Sequence, residues 1–145
     1  MCHHPIFRSL IQAFLVLAFT PAVLAQNLVP NPGFETYTSC PTTIGQTSKC
    51  VAWSPPTTGT SDYFHSCHTG PIVGVPSNTW GTQAAHGGNA YASFIVYMDA
   101  GAYVGEYLEV ALSSPLVSGE QYDVSFWVSL CDKSAWAIAE LGAYL

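Results

Sequence analysis

Between residues 121 and 130 apolar and polar positions alternate without a break. Tyr122, Val124, Phe126, Val128 and Leu130 fall on one side of an extended backbone; Gln121, Asp123, Ser125, Trp127 and Ser129 fall on the other. A period of two is that of a half-buried strand, and Gly119-Glu120 just before it reads as the turn leading in. Residues 106–112 carry the same phase, with Leu108, Val110 and Leu112 on one side, whereas residues 90–97 are apolar on both faces and suit a central strand. Residues 136–145 are ambiguous: the Ala-rich start favours a helix on propensity, but Gly142, Tyr144 and the β-rich surroundings favour a strand.

Ahead of these strands, residues 36–88 are dense in Gly, Pro, Ser, Thr and Asn, with Pro55-Pro56, Thr69-Gly70-Pro71 and His86-Gly87-Gly88-Asn89 as punctuation. The stretch is too aromatic for a disordered linker. Tyr37, Trp53, Tyr63, Phe64 and Trp80 must be either buried or displayed. No internal repeat, heptad or low-complexity tract is present. The pattern is that of an all-β domain with a loop-rich first half.

The beginning of the chain has a different character. Residues 1–9 carry one cation, Arg8, and residues 10–24 are largely apolar; Val23-Leu24-Ala25 has the small-x-small form of a signal-peptidase site. Residues 1–25 are therefore expected to be a secretory leader. Pro21 interrupts the apolar run, which is short against the roughly 20 residues of a spanning helix. No later segment is apolar enough to span, so no membrane span is expected after cleavage. Residues 26–145 form the expected mature domain, secreted or at the cell surface.

That domain holds two lysines, Lys49 and Lys133, against nine carboxylates. So few cations cannot neutralise a phosphate backbone, which argues against nucleic acid and anionic lipid as partners. Neutral sugars, or a cation such as calcium, are compatible. Cys40, Cys50, Cys67 and Cys131 remain after the leader, an even number in an exported chain, which reads as up to two disulfides. Of the three pairings, Cys40 with Cys67 is expected, because both lie in loops without strands to hold them; that leaves Cys50 with Cys131. Zinc held by His65, Cys67 and His68 is the alternative, although the short Cys-x-x-Cys spacing of structural zinc is absent.

Residues 27–35 read Asn-Leu-Val-Pro-Asn-Pro-Gly-Phe-Glu, a first strand running into a tight turn fixed by Pro30, Pro32 and Gly33. Together with Tyr37 to Cys40, the run from Trp53 to Cys67, Gly74-Val-Pro76, Ala85-His-Gly-Gly-Asn-Ala-Tyr-Ala92, Glu106-Tyr-Leu108, Ser114-Pro-Leu116 and the run from Tyr122 to Asp132, this opening resembles a family of secreted bacterial surface and gliding-motility-associated proteins. More distantly it is similar to galactose-binding-like jelly rolls of the carbohydrate-binding-module type, which share an early Gly-Phe-Glu and a late Gly-x-x-Tyr-x-x-Ser-Phe strand, here residues 119–126. The resemblance implies a jelly-roll β-sandwich. It departs at Gly87, where the family has Ser after the histidine, and at Leu145, where the family continues through further strands. A jelly roll needs about eight strands and five or six are legible, so the sequence reads as the N-terminal portion of the domain.

The resemblance further implies that Glu35, with nearby carbonyls, is a ligand to a structural calcium. The alternative for Glu35 is a solvated turn cap. The cluster Asp62-Tyr63-Phe64-His65 reads either as packed aromatics flanked by loop hydrogen bonds or as an acid/base pair, Asp62 with His65 or His86, or Asp62 with Asp132. No Gly-x-Ser-x-Gly or His-Glu-x-x-His motif accompanies it. Trp127 falls on the polar side of its strand, where an indole either stacks on a sugar face or is covered by a second sheet. The expected function is a non-catalytic carbohydrate-binding or adhesion domain, with Trp127, Asp62 and His65 as its ligand contacts and an extracellular glycan as partner. A ligand-free envelope module and a glycan-acting hydrolase are the alternatives.

Overall fold

A computed structural model describes residues 26–97 and 105–145; the expected leader, residues 1–25, lies outside them. The described chain is all-β, built from six short strands in three two-stranded antiparallel sheets, with a single 3-10 turn at Thr47–Lys49. In chain order the strands are β1 (Trp53–Ser54), β2 (Asp62–His65), β3 (Ser77–Asn78), β4 (Gly81–Thr82), β5 (Ala90–Ser93) and β6 (Glu109–Val110).

The centre is the pair β2–β5, in which Asp62 faces Ser93 and His65 faces Ala90. Every residue of β2 is buried, and Tyr63 and Phe64 are fully enclosed. The Asp62–His65 cluster is thus packed in the interior. Tyr63 joins Cys50 and Ala90 in a core against which Phe34 and Trp53 pack, and Phe64 packs on Tyr91 with ring centroids 5.2 Å apart. Burial pushes the Tyr63 phenol upward and the Cys50 thiol to about 11.

The opening peptide is knitted to this core through Asn31. Its Nδ2 donates to the carbonyls of Thr36 and Val51, both at 2.9 Å, and to the Cys50 sulfur at 3.2 Å. Its own carbonyl accepts the Trp53 indole N–H at 2.9 Å. Asn31 and Phe34 both have positive φ, 48° and 63°. Asn tolerates that region, but for Phe it is costly. The neighbourhood over-determines it: the Phe34 ring lies 4.7 Å from that of Trp53, and its carbonyl accepts the Tyr63 hydroxyl at 2.7 Å.

Two buried carboxylates tie distant loops together. Asp62, 3% exposed, accepts the Gly45 N–H at 2.7 Å, the Trp80 indole N–H at 2.6 Å and the Ser93 hydroxyl at 3.2 Å. Glu106, also 3% exposed, accepts the Thr60 N–H at 3.0 Å, the Thr60 hydroxyl at 3.2 Å and the Ile95 N–H at 2.8 Å. Burying a charge is costly unless its oxygens are satisfied, and here each carboxylate has three neutral donors.

Cys40 and Cys67 form a disulfide, with Cα atoms 6.0 Å apart, that joins the loop before the 3-10 turn to the loop after β2. The expected pairing of Cys50 with Cys131 does not form. Cys50 is buried in the core under Asn31, whereas Cys131 lies exposed, and both are free thiols. Because Cys67 is oxidised it has no thiolate to offer zinc, which removes the His65, Cys67 and His68 alternative.

The C-terminal part departs most from expectation. In residues 106–112 the predicted phase holds: Leu108, Val110 and Leu112 are half-buried while Tyr107, Glu109 and Ala111 are exposed, and β6 pairs with β1. The turn at Gly119 also forms, with Glu120 N–H on the Val117 carbonyl at 3.2 Å. Residues 121–130, however, make no backbone–backbone hydrogen bond among the described residues, and Phe126 is 50% exposed. A strand gains its stability from a ladder and a covering face, and among the described residues nothing supplies either to residues 121–130. Residues 136–145 likewise form no strand and are exposed.

Candidate functional site

Although no described strand makes a ladder with residues 121–130, side chains moor their surroundings to the β3–β4 hairpin. Ser129 Oγ donates to Gln83 Oε1 at 2.6 Å, Asp132 Oδ2 accepts the Thr82 N–H at 2.8 Å, and Lys133 Nζ donates to the Thr79 carbonyl at 2.6 Å. The Trp127 indole reaches the loop after β4 and stacks on His86 with ring centroids 3.9 Å apart and planes 16° apart. With His86 against it, Trp127 keeps 77% of its surface exposed.

The His86 loop is fixed from the opposite side by Glu35. Its Oε1 accepts the N–H groups of Asn89 at 2.7 Å and Ala90 at 3.1 Å, and its Oε2 accepts Asn89 Nδ2 at 3.3 Å. Gly88 makes the approach possible. Its φ is +75°, and a Cβ there would come within 2.5 Å of the Glu35 carboxyl carbon. The carbonyl of Asn89 in turn accepts the Ser66 N–H at 3.0 Å, which holds the loop from the β2 side.

Calcium takes about six to eight oxygen ligands. The Glu35 carboxylate instead carries three N–H donors, the donor set of a turn cap. Among the described residues no group of three or more His, Cys, Asp or Glu side chains is gathered as a metal site would need.

Asp62 and His65, expected beside Trp127 as ligand contacts, lie in the core instead. The His65 ring is buried beside Tyr37, with centroids 4.6 Å apart, and its Nδ1 accepts the Cys67 N–H at 2.9 Å, which leaves the proton on Nε2. No hydrogen bond or ring contact joins Trp127 to either residue. The Asp62 oxygens face Gly45, Trp80 and Ser93, and among the described residues no hydrogen bond joins them to His65, His86 or Asp132.

Of the expected ligand residues, Trp127 alone is at the surface. Its partner His86, 41 positions away, was legible only as an alternative acid/base partner of Asp62 and as the histidine before the Gly-Gly-Asn turn, with nothing to connect it to Trp127. That turn was the legible clue, because two glycines mark a backbone that must adopt positive φ or let another chain segment approach closely.

No protein-family model matches the chain, no curated protein matches it, and no solved structure matches its fold. No helix among the described residues is long and apolar enough to cross a membrane.

Proposed function

We propose that this chain is an exported, non-catalytic glycan-binding domain of the galactose-binding-like jelly-roll type, in which the Trp127 indole, backed by His86, is the platform for a sugar ring. The observation that carries the reading is an indole held face to face against an imidazole, 3.9 Å between centroids, while 77% of its surface stays open to solvent. An exposed aromatic costs solubility; one held in a fixed orientation offers a flat apolar surface to the C–H face of a sugar. The scarcity of cations along the chain suits a neutral polyhydroxylated ligand. Secretion is supported by the leader-like opening and by the Cys40–Cys67 disulfide, a bond that persists in oxidising compartments.

The test is retardation of the full chain on a panel of immobilised polysaccharides. The wild type is retarded on at least one. Trp127→Ala removes the retardation while the circular dichroism spectrum is unchanged, because an indole this exposed contributes little to folding. A folded protein that binds no polysaccharide is a structural envelope module instead. Turnover of a bound polysaccharide would restore the hydrolase reading.

A further inference from the structure

Two observations concern the backing of the platform rather than the platform itself. First, His86 belongs to a loop whose conformation depends on a left-handed residue, Gly88, pressed against a carboxylate. Second, that carboxylate, Glu35, spends its hydrogen-bonding capacity on Asn89 and Ala90, immediately beyond the glycine. Glu35 is itself held by the turn around Asn31, whose Oδ1 accepts the Thr36 N–H at 3.0 Å. The chain of contacts thus runs from the opening peptide through Glu35 and the Gly88-Asn89 turn to His86, and from there to Trp127.

We propose that Glu35 is the positioning residue of the Trp127–His86 platform: it caps the 88–90 turn with its carboxylate and so sets the plane against which the indole stacks, and it does this without a metal ion. The inference rests on the glycan-binding reading for its purpose, but its geometry stands apart from any ligand. A carboxylate accepting backbone N–H groups is charge-assisted and strong, so it fixes a loop that glycine would otherwise leave free. The same engagement uses three of the roughly four lone-pair sites of the carboxylate, which leaves little of it for the oxygen-rich shell that calcium requires. A cap and a calcium ligand also differ in what replaces them. Glutamine keeps an amide oxygen for the two backbone N–H groups, but it lacks the charge a hard cation needs.

The experiment uses the full chain and reads the loop directly. In proton NMR the His86 imidazole resonances, assigned by their loss in His86→Ala, are displaced upfield by the indole ring current, and Trp127→Ala abolishes that displacement. Glu35→Ala is expected to lose most of it, and to weaken polysaccharide retardation about tenfold, the consequence of roughly 1.4 kcal/mol of lost loop order. Glu35→Gln is expected to keep the displacement. Neither calcium nor a chelator moves it in the wild type. If Glu35→Ala unfolds the protein, Gly88→Ala provides the same readout, since its Cβ would expel the carboxylate from the turn. Retention of the displacement in Glu35→Ala or Gly88→Ala overturns the proposal, as does a glutamine variant as defective as alanine or a calcium-dependent shift that requires Glu35. Failure of the wild type to bind any polysaccharide overturns the functional reading alone, because the ring-current measurement needs no ligand.

Discussion

Trp80 donates its indole N–H to Oδ2 of Asp62 across 2.6 Å, and so a loop tryptophan is fastened to the central strand by a buried carboxylate. Gly45 and Ser93 share the same carboxylate from two other directions. Removing it would orphan three donors at once. Asp62→Ala is therefore expected to lower stability by about 3–5 kcal/mol, against about 1–2 kcal/mol for Trp80→Phe, which removes one donor and keeps most of the ring. Urea denaturation of the two variants measures the difference. Equal losses would mean that Asp62 acts through Trp80 alone.

The core prediction contrasts two aromatic residues. Phe64 is fully buried against Tyr91, whereas Phe126 is half-exposed. Phe64→Ala should cost about 3–5 kcal/mol and Phe126→Ala about 1 kcal/mol or less. A Phe126→Ala loss as large as that of Phe64→Ala would show that residues 121–130 are packed in solution.

Thiol chemistry distinguishes Cys50 from Cys131. Burial holds the Cys50 proton up to about pH 11, and the Cys131 thiol lies in the open. An alkylating reagent at pH 8 should label Cys131 within minutes and Cys50 only after unfolding, with the labelled residues assigned by peptide mass spectrometry. Rapid labelling of Cys50 in the folded protein would contradict its burial.

The same thiol makes stability pH-dependent in one direction. Its folded pKa of about 11 lies above the ordinary value of 9.0, so below pH 9 both states keep the proton and the contribution is whole. As pH rises from 9 toward 11, the unfolded chain loses the proton while the folded one retains it, and stability falls. Denaturation midpoints of wild type and Cys50→Ala across this window should converge as pH rises. Parallel curves would show that Cys50 is not the group responsible.

Reduction of the Cys40–Cys67 disulfide frees loops that few strands restrain. Closing a loop of this sequence separation, 27 residues, contributes about 3–4 kcal/mol in the chain-entropy picture. Dithiothreitol, or Cys40→Ser with Cys67→Ser, should shift the thermal midpoint down by many degrees. An unchanged midpoint would place the stability of these loops in Asp62 and Glu106 instead.

How much of this was legible depended on whether a residue's partner was local. The phase of residues 106–112 could be read because alternation is a property of the segment itself, and so could the turn at Gly119. The same alternation misled at residues 121–130. Period two reports that a segment is competent to form a strand, but it does not supply the ladder that buries one face. Cys40 and Cys67 were paired correctly by asking which loops lacked other support, whereas Cys50 was lost to an unforeseen partner, Asn31. Asp62 and His65 looked like surface chemistry because polar residues in a loop-rich stretch usually are. Their burial depended on donors from Gly45, Trp80, Ser93 and Cys67, which sequence order scatters. Trp127 is exposed, but so are its neighbours on both sides of the alternation, so its exposure does not bear out the strand phase, and the ring behind it could not be found without the fold.

The unpaired run from Val124 to Leu130 has a practical corollary in test-tube behaviour. It is rich in β-branched and aromatic side chains, contains no proline and no charge, and presents backbone amides that no described strand takes up. Such a segment adds itself to any free sheet edge it meets, including that of another molecule, so concentrated samples should turn cloudy before they crystallise. Val128→Lys, at a position 67% exposed, would repel that encounter without altering the Trp127 and His86 rings themselves.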